Sequence, residues 1–176
     1  EMKDLSISFF NKSGEIQAVR GINYTLHKGE VLGIVGESGS GKSVSSHGIL
    51  RLTPDTGKVK TGEILFHGKD ILKMNKKELQ ELRGNKIAMI FQEPMTALNP
   101  VLRIRSQMYE AFEGEKLSKE EQRRRAIELL KLVGIPSPET RLDEYPHQFS
   151  GGMRQRVMIA IALGARPKLL LADEPT

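Results

Sequence analysis

The sequence contains no cysteine, which excludes disulfides, thiolate zinc sites and iron–sulfur clusters within these residues. Long apolar runs are missing as well. Apolar stretches such as residues 31–35 and 169–172 fall far short of the roughly 20 residues that a membrane-spanning helix needs. The opening stretch EMKDLSISFF lacks the basic-then-apolar pattern of a secretory signal. These absences are compatible with a globular protein of the cytosol.

Length and charge limit the class of protein and the kind of ligand further. With 176 residues, of which 28% are charged and 38% hydrophobic, the chain is long enough for one domain with a substantial core. The net charge of +5 and the pI of about 9.5 suit nucleic acid, an anionic membrane surface or a phosphate-bearing ligand. An ordinary lysine-rich surface is the alternative. The basic run EQRRRAIELLK also carries glutamates, which is typical of an exposed helix.

The first half of the chain is dominated by predicted strands. The alternating stretches LSISFF and IQAVRGINYTL predict an antiparallel pair joined by the turn NKSGE. EVLGIVG predicts a buried strand, which a Gly/Ser-rich loop and a helix follow at once. The later stretches predict a polar loop in TPDTGKVKTG, a short strand in EILFHG, a helix in NKKELQELRG with Leu79 and Leu82 on one face, and a buried strand in KIAMIFQ.

After Gln92 the pattern becomes mostly helical, beginning with the loop EPMTALNP. Ser118 and Glu121 have the spacing of a capping box, and the apolar stripe of the helix behind them is Ala126, Ile127, Leu130 and Val133. A further helix is expected over residues 152–163, and KLLLAD predicts a last, buried strand. The order of elements predicts an α/β core with an inserted α-helical subdomain.

The stretch GESGSGKS, residues 36–43, fits the pattern G-x-x-x-x-G-K-[ST]. Glycines let the backbone turn so that successive amides face one phosphate chain, Lys42 reaches the terminal phosphates, and Ser43 offers a hydroxyl to Mg²⁺. A chance glycine-rich turn is the alternative, but a strand before and a helix after it favour the phosphate loop. The candidate nucleotide-binding residues are Gly36, Glu37, Ser38, Gly39, Ser40, Gly41, Lys42, Ser43 and Val44.

Two carboxylates, Asp173 and Glu174, follow the last apolar strand. In P-loop NTPases a carboxylate at such a strand end holds Mg²⁺, usually through water, so Asp173 is the candidate metal residue. Glu174 is then positioned to orient or deprotonate the attacking water. An acidic pair alone would be an unremarkable exposed strand end.

The stretch FSGGMRQR places a Ser-Gly-Gly turn at the start of a helix. The hydroxyl of Ser150 and the amides of Gly151 and Gly152 form a second candidate anion site. Taken alone, this turn would be only a helix cap.

Together these motifs resemble the nucleotide-binding subunit of ABC transporters, and most closely the ATPases of peptide and nickel importers (the oligopeptide and dipeptide permease group). The resemblance rests on GIVGESGSGKS, MIFQEPMTALNP, YPHQFSGGMRQRVMIA and LLLADEPT and covers essentially the whole chain. It implies a P-loop NTPase core of the ABC type, with a parallel sheet, an N-terminal antiparallel β subdomain and the helical insertion. The implied ranges are 1–91 for the core, 92–164 for the helical subdomain and 165–176 for the return to the core.

The resemblance also implies roles. Gln92 would contact Mg²⁺ and sense the γ-phosphate, and Ser150–Gly152 would bind ATP held by a second ATPase subunit. An aromatic residue near the N-terminus, Phe10 or Phe9, would stack on adenine. Expected partners are that second subunit, transmembrane permease subunits and, indirectly, an extracytoplasmic solute-binding protein, with no nucleic acid. The implied location is the cytoplasmic face of the cell membrane.

Two departures from the family pattern stand out. The general family signature reads LSGGQ, whereas this sequence has FSGGM, a form that the peptide-importer group commonly shows. The family's later strands and its γ-phosphate histidine are not among these 176 residues. We therefore expect a C-terminally truncated domain that binds ATP weakly at best and hydrolyses it negligibly by itself.

An inert nucleotide-binding fragment is one alternative function. A DNA-maintenance ATPase is another, although only 57 residues without sustained heptads separate Gln92 from Ser150. The four histidines show no metal-ligand spacing.

Overall fold

The computed structural model describes residues 1–92 and 97–174. Part of the predicted loop EPMTALNP and the last two residues lie outside the described residues. The chain divides into two compact units, Glu1–Gln80 and Glu81–Thr176, which are described in turn. The domain ranges implied by the sequence, 1–91, 92–164 and 165–176, stay a prediction.

The first unit is built on an antiparallel sheet with the strand order β2-β1-β3-β4. The strands are β1 (Met2–Asn11), β2 (Gly14–Tyr24), β3 (Gly57–Phe66) and β4 (Lys69–Asp70). A short helix, α1 (Lys42–Ile49), follows the glycine-rich loop, and a 3-10 turn spans Ile71–Lys73. The predicted hairpin is confirmed, since Asn11 pairs with Gly14 across the turn.

Strand β3 begins earlier than predicted. The stretch TPDTGKVKTG was expected to be a polar loop, but its second half belongs to β3 and pairs with β1, Val59 opposite Ile7 and Lys58 opposite Ser8. Val59 is half-buried, whereas Lys58 and Lys60 are exposed. The lysines therefore follow the two-residue period of a strand with one solvated face. The prediction of a loop considered only the polarity of the segment and missed this period.

The predicted buried strand EVLGIVG is wrong for the described structure. Residues 31–35 form no strand, and the side chains of Val31 and Val35 are 95% and 94% exposed. A strand exists only where a neighbour completes its hydrogen-bond ladder. None of the strands among the described residues pairs with this segment, so its apolar sequence is not buried.

In the second unit, two short strands lie side by side in parallel, β5 (Ile87–Ile90) and β6 (Leu169–Ala172). Helix α2 (Lys76–Asn85), which begins in the first unit and ends in the second, precedes β5 and buries Leu79 and Leu82 as predicted. The prediction that β6 is buried is wrong: Leu170 is 38% exposed. Among the described strands β6 has β5 as its single neighbour.

Helices make up the rest of the second unit: α3 (Ile104–Glu110), α4 (Lys119–Leu132), α5 (Pro138–Arg141) and α6 (Gly151–Gly164), with a 3-10 turn at Pro146–Gln148. The predicted capping box is confirmed, because Ser118 and Glu121 exchange both side-chain-to-backbone hydrogen bonds. The core between these helices is formed by Ile104, Met108, Phe112, Ala126, Leu130, Leu142, Phe149 and Val157, among others. In the ranges that the structure describes, no helix has the length and hydropathy of a membrane span.

Candidate nucleotide-binding and hydrolysis site

The phosphate-loop motif has the backbone geometry that its glycines predict. Gly39 and Gly41 adopt φ values of +80° and +93°, which are unfavourable for any residue with a Cβ atom. At Gly41 the packing adds a second requirement, because a Cβ atom there would lie 2.4 Å from the carbonyl oxygen of Ala18 in β2. The loop therefore passes directly against β2 just before α1 begins.

Lys42 closes the loop on itself. Its Nζ donates hydrogen bonds to the carbonyl oxygens of Gly36, at 2.7 Å, and Glu37, at 2.9 Å. The ammonium group is thus held over the loop's own backbone. A phosphate group entering the loop would offer it a charged acceptor, which makes a stronger hydrogen bond than a carbonyl oxygen does.

The start of α1 fits an anion. Gly41 is its N-cap and supplies no side-chain hydrogen bond, and the first turn contains no acidic residue. The amides that begin a helix point outward and carry the positive end of its dipole, so phosphate is a suitable partner for them. Ser43, in this first turn, is half-buried, and its hydroxyl belongs to the oxygen donors that Mg²⁺ prefers.

The two candidate carboxylates, Asp173 for the metal and Glu174 for catalysis, follow β6 at one edge of the parallel strand pair. Ile90 of β5 lies opposite Ala172 of β6, so the residues that follow both strands emerge together. The Asp173 amide donates to the Ile90 carbonyl oxygen at 3.0 Å, and Asp173 is buried, with 7% of the residue exposed. The next residue along, Glu174, is exposed and has a φ of +47°.

The side chain of Gln92 meets Glu174 at this edge. Its amide nitrogen, Nε2, donates to Glu174 Oε2 at 2.6 Å, although the two residues are 82 positions apart in the chain. The parallel pairing of β5 and β6 explains the meeting, because the carboxyl ends of parallel strands lie at the same edge. The sequence predicted both residues for the site, but not their direct contact.

Oxygen ligands at this edge suit a hard divalent cation. Asp173 and Gln92 offer carboxylate and amide oxygens, and no cysteine is present to favour a softer metal. Among residues 1–92 and 97–174 no group of three or more His, Cys, Asp or Glu residues forms a self-sufficient metal site. Such an edge fits a Mg²⁺ ion whose ligands come partly from the protein and partly from a nucleotide, since Mg²⁺ is usually held by one or two carboxylates together with substrate phosphates.

The second anion site opens helix α6. Ser150 caps the helix, and its Oγ accepts the amide of Met153 at 3.3 Å. Phe149, just before it, is 3% exposed and anchors the turn in the core. A Cβ atom at Gly151 or Gly152 would meet nothing within 4 Å. Packing among the described residues therefore gives no reason for glycine at these two positions, and the turn is exposed.

Phe10, the candidate adenine-stacking residue, lies on β1 with two lysines over its ring. The Nζ atoms of Lys58 and Lys60 lie 5.8 Å and 5.3 Å from the ring centroid, within cation–π range. Phe9 lies on the opposite side of the strand, where a Cβ atom at Gly57 would come within 2.8 Å of its ring. The sequence prediction missed the lysines, although the alternation Lys-Val-Lys in β3 was the available signal.

Comparison with known proteins gives the family. The ABC transporter family matches residues 19–176, and the chain belongs to it. The chain is 60% identical, over its full length and 50% of the relative's, to the oligopeptide transport ATP-binding protein OppD of Bacillus subtilis (strain 168). It is 52% identical, over 98% of its length and 53% of the relative's, to the dipeptide transport ATP-binding protein DppD of Escherichia coli (strain K12). The chain therefore spans about half the length of these curated relatives.

A solved structure confirms the fold class. The dimeric post-hydrolysis state of the ATP-binding cassette MJ0796, bound to ADP and Pi, superposes with a TM-score of 0.86 at 32% identity. The match covers 99% of this chain and 73% of that one. The resemblance noted from the motifs, to the peptide-importer group of this family, is confirmed by the relatives.

Proposed function

We propose that this chain is the ATP-binding and ATP-hydrolysing part of a subunit that powers the import of peptides or similar small solutes. The observation that carries the proposal is the convergence of Gln92, Asp173 and Glu174 at one sheet edge in a chain with an intact phosphate loop. The names of the relatives, which are oligopeptide and dipeptide transport ATP-binding proteins, support the substrate class. The inward direction of transport is part of the proposal. None of the findings favours the DNA-maintenance alternative.

In the proposed mechanism the chain mainly positions and neutralises charge. The backbone amides of residues 36–44 and the Lys42 ammonium bind the ATP phosphates. Ser43, Gln92 and Asp173 are the residues that would hold Mg²⁺, which supplies charge neutralisation when bound. The Glu174 carboxylate orients the attacking water and accepts its proton.

The nucleotide base is proposed to stack on Phe10. An adenine ring on that face would compete with, or lie beside, the ammonium groups of Lys58 and Lys60. This binding adds affinity without entering the chemical step.

The exposed turn at residues 150–152 supports a proposal about a partner subunit. We propose that this turn binds the γ-phosphate of ATP held by a second ATPase subunit, so that two subunits close over two nucleotides. Closure would act on transmembrane permease subunits at the cytoplasmic face of the membrane, with a solute-binding protein delivering substrate from the other side. The proposal includes no nucleic-acid partner.

The test is ATP turnover by the full-length protein assembled with its permease subunits in vesicles. Peptide-loaded solute-binding protein is expected to stimulate hydrolysis, and the same binding protein without peptide is the control. The variant Lys42→Ala should abolish turnover in the identical assembly. Stimulation by DNA at near-physiological salt, with no response to peptide, would refute the proposal in favour of the alternative.

A further inference from the structure

We propose that Arg125 is a positioning residue for the turn at residues 150–152. It binds the C-terminal end of helix α6 to α4. Because the turn lies at the N-terminal end of the same helix, this contact sets the position of the turn relative to the nucleotide of the opposite subunit. The inference rests on the proposed function, because it concerns the turn's role in that dimer.

Arg125 lies in the middle of α4 and has only 12% of its side chain exposed. One terminal nitrogen, Nη1, donates to Glu115 Oε1 at 2.6 Å, and the other, Nη2, donates to the carbonyl oxygen of Gly164 at 2.6 Å. The guanidinium carbon lies 4.6 Å from the centroid of the Phe112 ring. The hydrogen bond from Arg125 holds the pKa of Glu115 below its usual value, so the carboxylate stays charged.

Gly164 is the last residue of α6, and its carbonyl is one of the four that an α-helix leaves without an internal partner. The helix end is also tightly packed, because a Cβ atom at Gly164 would lie 3.0 Å from the Phe112 ring and 3.4 Å from Ala111 Cβ. Arg125 therefore supplies a cation to the negative end of the helix at a buried position, where losing the partner is costly.

The other end of the helix pair has the reciprocal contact. Arg156, in the second turn of α6, donates from Nη1 to the carbonyl oxygen of Gly134 at 2.6 Å, in the turn that ends α4. The start of α6 thus lies by the end of α4, and the end of α6 by the middle of α4. The helices are antiparallel: Arg125 of α4 donates to the last carbonyl oxygen of α6, and Arg156 of α6 donates to a carbonyl oxygen in the turn that follows α4.

These two contacts fix the position of the turn along and around the helix axis. Helix α6 has 14 residues and is about 21 Å long. A tilt of about 5° at its far end would move the turn by about 2 Å, and errors of about 1 Å in placing a reacting group can cost about a hundredfold in rate. Lysine cannot replace Arg125 fully, since one ammonium lacks the planar fork that serves two acceptors while stacking on a ring.

The experiment uses the full-length protein with Arg125→Met, Arg125→Lys and the matched control Arg166→Met. Arg166 is a suitable control because its side chain is 73% exposed and reaches the same carboxylate of Glu115 only at 3.9 Å. In Arg125→Met we expect fluorescent-ATP affinity within about twofold of wild type, and at least about tenfold weaker ATP-driven dimerisation. Arg125→Lys should be intermediate, and Arg166→Met should match wild type. Equal weakening of ATP binding and dimerisation, or no change in dimerisation, would overturn the inference.

A second arrangement tests whether Arg125 acts on the opposite subunit's site. Each proposed site of the dimer combines the phosphate loop of one subunit with the turn at residues 150–152 of the other. The Arg125→Met change is combined with Lys42→Ala, either in the same subunit or in opposite subunits. When the two changes lie in opposite subunits they affect the same site and leave the other complete, whereas in the same subunit they affect both sites. We expect more vanadate-trapped nucleotide from the opposite placement, and equal or reversed amounts would refute the inference. A wild-type dimer that traps no nucleotide would instead refute the proposed function itself.

Discussion

The amide of Gln92 and the carboxylate of Glu174 are joined by a hydrogen bond of 2.6 Å, with Gln92 Nε2 as the donor. In the proposed mechanism Glu174 orients the attacking water molecule and accepts its proton. Its carboxylate is thus already engaged by the residue proposed to contact Mg²⁺. Because the contact uses the amide nitrogen, the amide oxygen of Gln92 could face a metal at the same time, so that one side chain would connect the metal to the base.

Replacing Glu174 by glutamine tests its assignment as the base. Glu174→Gln in the full-length protein keeps the size and hydrogen-bonding capacity of the side chain but removes the proton acceptor. We expect ATP binding to be nearly intact and hydrolysis to fall by about two to three orders of magnitude. Glu128→Gln, an exposed change on α4, is the matched control and should hydrolyse ATP normally. Unchanged turnover in Glu174→Gln would remove Glu174 from the mechanism.

Removing the side-chain amide of Gln92 tests the linkage between the metal and the base. Gln92→Ala releases Glu174 but also removes a proposed Mg²⁺ ligand. We therefore expect the Mg²⁺ concentration for half-maximal hydrolysis to rise by about tenfold, with a smaller loss of maximal turnover than in Glu174→Gln. Titration of Mg²⁺ at saturating ATP measures both quantities. An unchanged Mg²⁺ requirement would show that Gln92 serves only as the partner of Glu174.

Much of the site could be predicted from the sequence because its parts are local. The phosphate loop, the capping box and the Ser-Gly-Gly turn each depend on a few adjacent residues, and the structure shows the capping box and the glycine geometry as expected. Pairing across the chain was harder to predict. The contact between Gln92 and Glu174 exists only because β5 and β6 run in parallel.

Burial was predicted least well where it depends on neighbouring strands. The apolar segment at residues 31–35 and the strand β6 have sequences typical of fully buried strands, yet Val31, Val35 and Leu170 are exposed. Hydrophobicity indicates that a strand suits a core, but the ladder partner decides whether the strand forms and is covered. The beginning of β3 was missed for the opposite reason: its lysines made the segment look like a polar loop, although it is a strand with one solvated face.

Adding a methyl group at Gly41 tests the geometry of the phosphate loop. Gly41→Ala suffers both from the φ of +93° and from the carbonyl oxygen of Ala18 at 2.4 Å, so the loop must move away from β2. We expect at least about a hundredfold loss of ATP affinity, since amides aimed at one phosphate chain would be displaced. Gly29→Ala is the matched control, because its φ of +83° carries the same strain of about 1–2 kcal/mol but its Cβ atom meets nothing within 4 Å. Equal ATP affinities in the two variants would show that contact with β2 is irrelevant to the loop.

The charge on Glu115 predicts a particular pH dependence of stability. Its pKa is lowered in the folded state, chiefly by the hydrogen bond from Arg125, so its stabilising contribution is complete above the pKa of the unfolded chain and is lost as the pH falls through the folded-state value. Glu115→Gln should lower the free energy of unfolding by less than about 1 kcal/mol at pH 7, because the carboxylate is partly exposed. The difference from wild type should shrink as the pH falls below about 4.5.

Urea unfolding of the full-length protein, followed by circular dichroism between pH 3.5 and 7, measures this difference. The matched comparison is the same substitution in an Arg125→Met background, where the guanidinium that lowers the pKa of Glu115 is absent. There the pH dependence of the difference should be largely lost, because the two residues act as a coupled pair. A difference that grows on acidification, or that persists unchanged without Arg125, would contradict the assignment of Arg125 as the dominant partner of Glu115.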